Sequence, residues 1–235
     1  MDASHILDRR DMECSRRPSE LLAWVTAKCQ ELGATPDAKA FARSGALLPK
    51  KFYEELRPLA IFADREFPGR DDVLIQPNLD NDNFDARITV GRGSKTIFVE
   101  ITYAKDGYDE SRRMEVLSRE GSVSLTGPVS SSGRKGSPNR KVHVESEARS
   151  HLVAREEYLA IVRKRLEDKA RSRYGNDHVL VVAVDDYLPL RESSDFDYLR
   201  AAAESWFPTL GLDFGRVVLL GVAGQLFISF EPLPL

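Results

Sequence analysis

The chain has 235 residues, with 34 Lys and Arg against 37 Asp and Glu and a formal net charge of -3. This balance excludes a globally basic field, so a nucleic-acid site has to be a local patch. Cys14 and Cys29 have no metal-ligand spacing and suit a reducing compartment better than a disulfide framework. With no signal peptide and no apolar run near the ~18 residues of a spanning helix, we expect a soluble, cytoplasmic protein without a membrane partner.

The first 50 residues predict a polar tail and an accessory helix. Residues 18–32 have helical periodicity, with Pro18 suited to the first turn and Gly33 to the stop. Residues 34–50 mix turn residues with a short apolar patch, which is typical of a linker. Because the length favours one domain with additions, we assign residues 51–235 to a single main domain.

The main domain begins with a second helical pattern, over residues 51–67. Pro58 has to bend or restart this helix, since it lacks an N–H group. Glu55 lies on the flank of the apolar stripe. A carboxylate there is more often a boundary residue than a ligand, which makes Glu55 a weak third acid for a metal. Residues 72–77 then predict a strand.

Residues 83–105 carry two alternating runs that predict a β-hairpin. The first run presents Phe84, Ala86, Ile88 and Val90 on one face and Asp85, Arg87 and Thr89 on the other. In the second run Ile97, Val99, Ile101 and Tyr103 alternate with Thr96, Phe98, Glu100 and Thr102. If residues 91–94 form the loop, Val90 lies opposite Lys95. The same register places Asp85 directly opposite Glu100.

Two opposed carboxylates raise the question of a metal site. Directly opposed side chains lie about 4.5 to 5.5 Å apart at Cβ, and like charges there are destabilising unless they are neutralised. Hard oxygen ligands such as Asp85 and Glu100 suit Mg²⁺ or Mn²⁺. The alternative is a solvated sheet face with two ordinary acids. A register slip of one residue would separate the two acids onto opposite faces.

Residues 118–142 predict a flexible insertion, because Gly and Ser are frequent there and periodicity is absent. Its local basic residues form either a phosphate-gripping arm or a solvated loop. These residues are Arg134, Lys135, Arg140 and Lys141.

The remaining elements complete an α/β pattern. Residues 148–174 give the longest helical signal, residues 178–184 predict a buried strand, and residues 196–207 predict a further helix. Residues 216–222 and 225–230 close the chain as strands. The order predicts an α/β sandwich with a central mixed sheet, in which a crossover helix delivers a parallel strand.

This α-βββ-α-β order, with acids on the second and third strands, resembles the PD-(D/E)xK, restriction-endonuclease-like superfamily. The resemblance covers the topology of residues 51–222. Asp85 matches the Asp of the second strand, and Glu100 matches the first member of the (D/E)-x-K tripeptide. Ile101 stands at the middle position, whose backbone carbonyl often reaches the metal. Thr102 departs from the pattern, because it stands where the lysine belongs.

The resemblance implies that the lysine comes from elsewhere in the chain. Divergent members supply it from the following helix, which points to Lys169, with Lys105 beyond the third strand as the second choice. The alternative for Lys169 is an ordinary surface lysine on a helix rich in Lys and Arg. Arg87, on the Asp85 face, either contacts phosphate or pairs with one of the acids.

The resemblance implies a metal-dependent nuclease with Mg²⁺ or Mn²⁺ as cofactor and nucleic acid, DNA more than RNA, as partner. It also carries the expectation of a homodimer. Two alternatives stay open at this point. One is a catalytically inactive fold that binds nucleic acid or a protein, which Thr102 favours, and the other is an unrelated α/β domain with surface acids.

Overall fold

The computed structural model describes residues 3–80, 82–91, 93–124, 126–134, 137, 139–190 and 192–231. In chain order these residues form a 3₁₀ turn (Ser4–Ile6), α1 (Arg9–Met12), α2 (Pro18–Ala34), α3 (Pro36–Arg43), α4 (Leu47–Lys51), a π-helical segment (Phe52–Leu56), α5 (Arg57–Glu66), β1 (Val73–Pro77), β2 (Ala86–Val90), β3 (Lys95–Tyr103), α6 (Gly107–Glu120), β4 (Val129–Ser132), β5 (Lys141–Val144), α7 (His151–Lys169), β6 (Gly175–Val184), α8 (Ser193–Leu210), β7 (Phe214–Gly221) and β8 (Phe227–Phe230). Within these ranges, no helix is both long and apolar enough to span a lipid bilayer.

The described strands build a mixed six-stranded sheet in the order β1-β2-β3-β6-β7-β8, beside a two-stranded sheet of β4 and β5. Strands β1, β2 and β3 form an antiparallel meander, and β3, β6 and β7 run parallel. Strand β8 returns antiparallel to β7 at the edge. The predicted α/β class with a central mixed sheet is confirmed, and the finer restriction-endonuclease-like assignment stays a prediction.

The sheet separates two apolar cores. On one face, Val99 and Val181 pack with residues of α2 and α5. On the other face, Leu180 and Val182 pack with residues of α7 and α8. Strand β6 is therefore covered on both sides, which explains its almost uniformly apolar sequence.

The predicted linker over residues 34–50 contains two short helices instead. Thr35 starts α3, because its hydroxyl accepts a hydrogen bond from the Ala38 N–H (3.1 Å) and Pro36 occupies the first turn. Helix α2 contributes Leu21 to the same core as α5. The accessory helix is thus packed onto the main sheet rather than tethered to it.

Pro58 restarts the helix as predicted, and it does so through a widened turn. The Arg57 N–H donates to the Phe52 carbonyl, five residues back, directly before Pro58. In a regular α-helix the proline ring would clash with the carbonyl of Glu54, and the π-helical turn avoids this. The widened turn carries Glu54 and Glu55.

The predicted flexible insertion at residues 118–142 is more regular than its composition suggested. Helix α6 continues to Glu120, and Val129 of β4 pairs with Val144 of β5. Serines in β4 hide the alternation that would have indicated a strand. The segment includes residues outside the described ranges, so the pairing concerns its described part.

Candidate active site

The β2–β3 hairpin has the predicted register up to its last regular pair. Val90 pairs with Lys95, and pairing continues to Ala86 with Val99, one step short of Asp85 and Glu100. There β2 departs from regular geometry, because the Asp85 N–H donates to the Val99 carbonyl (2.8 Å). Phe84 consequently does not share the Ala86 face, contrary to the prediction. Its ring contacts Phe98, with centroids 4.9 Å apart.

Asp85 is fixed by the backbone of β3. Its Oδ2 accepts a hydrogen bond from the Ile101 N–H (2.7 Å), just beyond the last regular pair of the two strands. The pKa of Asp85 is raised to about 6, because burial and then the nearby Glu55 carboxylate raise it by more than the Ile101 N–H, Lys51 and Lys169 lower it. The site thus holds a carboxyl that ionises near neutral pH.

Glu55 is brought beside Asp85 by the π-helical segment. Burial raises the pKa of Glu55, while hydrogen bonding and attraction from Lys51 and a hydrogen bond with Asp85 lower it. The Lys51 ammonium lies 2.9 Å from Glu55 Oε2. At this buried oxygen the ammonium of Lys51 is therefore held as an ion-pair partner. Lys51 was not predicted, although its i, i+4 spacing to Glu55 was visible in the sequence.

Glu100 receives its direct partner from α7, since the Lys169 ammonium donates to Glu100 Oε1. Burial raises the pKa of Glu100, and Asp85 raises it further, while Lys169 and the Tyr174 hydroxyl lower it. Burial also lowers the pKa of Lys169, but the hydrogen bond and attraction from Glu100 outweigh this, so the net pKa is raised. Lys169 is therefore held in its charged form.

Tyr174 is a further residue of the site that sequence reasoning missed. It follows α7, its ring stacks on Phe214 with centroids 4.3 Å apart, and Glu100 and Lys169 both influence its pKa. Its position a few residues after Lys169, before a buried strand, is the signal that would have identified it. The stacking orients the phenol toward the Glu100–Lys169 pair.

The second lysine expected from the resemblance is engaged elsewhere. Lys105 Nζ donates to Glu54 Oε1 (2.8 Å), and its ammonium lies over the Tyr103 ring. Thr102 is half-buried on β3, in register with Val182 of β6. Lys169, and not Lys105, is thus the amine that the fold brings to Glu100.

The predicted phosphate-contacting residues do not form one cluster. Arg87 pairs with neither acid and donates to Gln76 Oε1 of β1. Arg140 is bound to Glu115 of α6 (2.9 Å), while Arg134 and Lys141 are exposed. Lys135 lies outside the described residues.

The charge balance and donor set of the site suit a hard divalent cation. The carboxylates of Glu55, Asp85 and Glu100 outnumber the ammonium groups of Lys51 and Lys169, and burial opposes ionisation of all three acids. Carboxylate and carbonyl oxygens are the ligands that Mg²⁺ and Mn²⁺ prefer. In the described ranges no group of three or more His, Cys, Asp or Glu residues is placed so that it could hold a metal ion by itself.

Comparisons of the chain with models of protein families, with curated proteins and with solved structures find no match. The resemblance to the PD-(D/E)xK superfamily therefore stays a prediction. The chemistry of the site is inferred from its own residues.

Proposed function

We propose that this protein is a metal-dependent nuclease that hydrolyses phosphodiester bonds of nucleic acid. Its active site is formed by Asp85, Glu100 and Lys169. The observation that carries the proposal is the pair of Lys169 with Glu100, near a half-buried Asp85 whose pKa is raised to about 6. Thr102 has no charge to offer, and Lys169 supplies an ammonium from α7 to the same acid. Carboxylates with raised pKa values beside an ammonium group are typical of a hydrolytic site.

Asp85 and Glu100 would hold Mg²⁺ or Mn²⁺, with the Ile101 carbonyl and Glu55 as further oxygen donors. A bound ion would supply a water of lowered pKa and neutralise charge on the scissile phosphate. The raised pKa of Lys169 keeps this side chain cationic. Lys169 therefore acts as an electrostatic stabiliser of the transition state rather than as a general base.

The test is cleavage of labelled DNA and RNA in Mg²⁺ or Mn²⁺ by wild type, Lys169→Met and Lys164→Met. Lys164 is an exposed lysine of the same helix and gives the matched control. We expect Lys169→Met to lower the cleavage rate about 10²- to 10³-fold, the effect of removing one transition-state donor. Lys164→Met should cleave as wild type does. Equal rates for wild type and Lys169→Met would overturn the role of Lys169.

A second function, binding without hydrolysis, is favoured by Thr102 at the position of the family lysine. In that case wild type would bind nucleic acid and metal but leave the strand intact. Thr102→Lys would then be the informative variant, because it restores the family tripeptide on β3. Cleavage gained by Thr102→Lys and absent in wild type would favour this second function over the first.

A further inference from the structure

A cavity of about 340 Å³ lies where the end of β1 meets the chain leading into β2. Its wall includes the ring of Phe84, the residue that precedes Asp85 in the chain, together with Arg87 on β2 and Gln76 on β1. The volume lies at the lower end of the range for small-molecule pockets. The cavity and the proposed hydrolytic site are therefore linked by two consecutive residues, Phe84 and Asp85.

Phe84 is held in place from two sides. Its ring packs on Phe98, which in turn stacks on His178 with centroids 5.0 Å apart. The Asn78 side chain donates to the Phe84 carbonyl (3.2 Å), and the Asn78 N–H donates to the Asp85 carbonyl (2.8 Å). The aromatic wall is thus supported by a row of rings and tied to the backbone of Asp85.

The charges around the cavity cancel. Its carboxylates, Glu13 and Asp80, both pair with Arg9, at 3.1 Å and 2.5 Å. Arg87 adds a second guanidinium, which donates to Gln76. Two acids and two guanidiniums leave no net charge, so the cavity suits neither a phosphate group nor a metal ion. An aromatic wall with guanidinium, amide and carboxylate groups suits a neutral, planar ring with donors and acceptors on its edge.

We propose that this cavity binds an unpaired nucleobase of the substrate strand, stacked on Phe84. The inference rests on the proposed nuclease function and specifies its substrate as single-stranded or locally unpaired nucleic acid. Stacking on aromatic side chains is the common mode of single-strand binding. A base inside a duplex presents no free face, so duplex nucleic acid cannot use the cavity without extruding a base.

The test measures binding without cleavage, by fluorescence anisotropy in EDTA. The probes are a labelled single-stranded oligodeoxynucleotide, its duplex, and an oligonucleotide of abasic sites with the same length. We expect the single strand to bind at least tenfold more tightly than the other two. Phe84→Ala should lose about 5- to 150-fold of this affinity, the range for one stacked base. Phe84→Trp should retain it.

Two further variants keep the test independent of folding defects. Arg87→Ala alters an exposed side chain of the cavity wall and should weaken single-strand binding at least threefold. Tyr187→Ala removes an exposed aromatic ring after the carboxyl end of β6 and should bind as wild type does.

Equal binding of single strand, duplex and abasic probe would overturn the base site. So would a folded Phe84→Ala with wild-type affinity. Metal-dependent cleavage in either case would leave the proposed function intact and reject only the cavity's role. Absence of cleavage with the expected binding pattern would support the cavity and reject the nuclease.

Discussion

Asp85 is destabilised as an anion by the fold that positions it. The π-helical segment brings Glu55 to its side, and partial burial of both residues raises the pKa of each. Ile101 contributes only one N–H to offset this cost. Ionisable residues whose charged form is disfavoured by the fold are typical of functional sites. Such residues are selected for binding or catalysis rather than for stability.

We expect Asp85→Asn to stabilise the metal-free protein at neutral pH. The pKa of Asp85 is raised from 3.8 to about 6 in the folded state. An acid with a raised folded pKa costs nothing below its unfolded pKa; its penalty grows as pH rises from the unfolded pKa of 3.8 to the folded pKa of about 6 and is complete above that. One pKa step corresponds to about 1.4 kcal/mol, so the amide should stabilise the fold by about 1–3 kcal/mol above pH ~6.

Thermal melts at about pH 4 and about pH 7.5 check this expectation, since the effect should appear only at the higher pH. The exposed Asp197 of α8 gives the control substitution Asp197→Asn. A stabilisation of equal size at both pH values would show that relief of charge at Asp85 is not its cause.

At the residue scale, alternation in the hairpin predicted that Asp85 and Glu100 come close, and the family resemblance pointed to Lys169. The turn of the backbone at Asp85 was not predictable, because no glycine or proline marks it. Phe84 was therefore assigned to the wrong face. Glu55 was only a weak prediction, since its approach to Asp85 depends on the π-helical turn before Pro58.

Among the elements, the β7–β8 hairpin depends on a single buried carboxylate. Asp186 is fully buried and accepts hydrogen bonds from the N–H groups of Ala223 (2.6 Å), Gln225 (2.7 Å) and Leu226 (3.2 Å). At Gly221 a Cβ atom would lie 1.9 Å from Asp186 Oδ2, so only glycine fits there. The role of Asp186 was not predictable from the sequence, because its partners lie 37 to 40 residues later.

Asp186→Ala should lower the free energy of unfolding by about 2–4 kcal/mol, since three buried N–H groups lose their acceptor. Urea denaturation measures this loss, and Asp197→Ala is the exposed control on α8. A loss below about 1 kcal/mol would mean that water or neighbouring carbonyls replace the carboxylate.

For the whole molecule, the α/β class and the mixed sheet could be predicted from the sequence. Each long helix or strand has apolar residues at one clear spacing. The short elements between them could not be predicted. Helices α3 and α4 are too short for periodicity to show, and the serines of β4 obscure its pairing with β5. Tertiary packing rather than local sequence decides such elements.

The near-neutral charge of the whole molecule predicts weak salt dependence of nucleic-acid binding. The net charge is -3, and basic residues such as Arg140 and Lys105 are already paired with acids. Each phosphate contact to a single strand contributes about -0.7 to the slope of log K against log salt, so we expect a slope between about -1 and -3. Anisotropy titrations at several salt concentrations give the slope. A value near -10 would indicate an extended basic face.

The most direct measurement is Mn²⁺ binding by calorimetry to wild type, Asp85→Ala, Glu100→Ala and the exposed control Asp197→Ala. A shared site predicts one Mn²⁺-binding event in wild type and in the control. Asp85→Ala and Glu100→Ala should each lose this event. Retention of binding by both site variants would contradict a metal site built on these two acids. So would the absence of binding in wild type, with nucleic acid present.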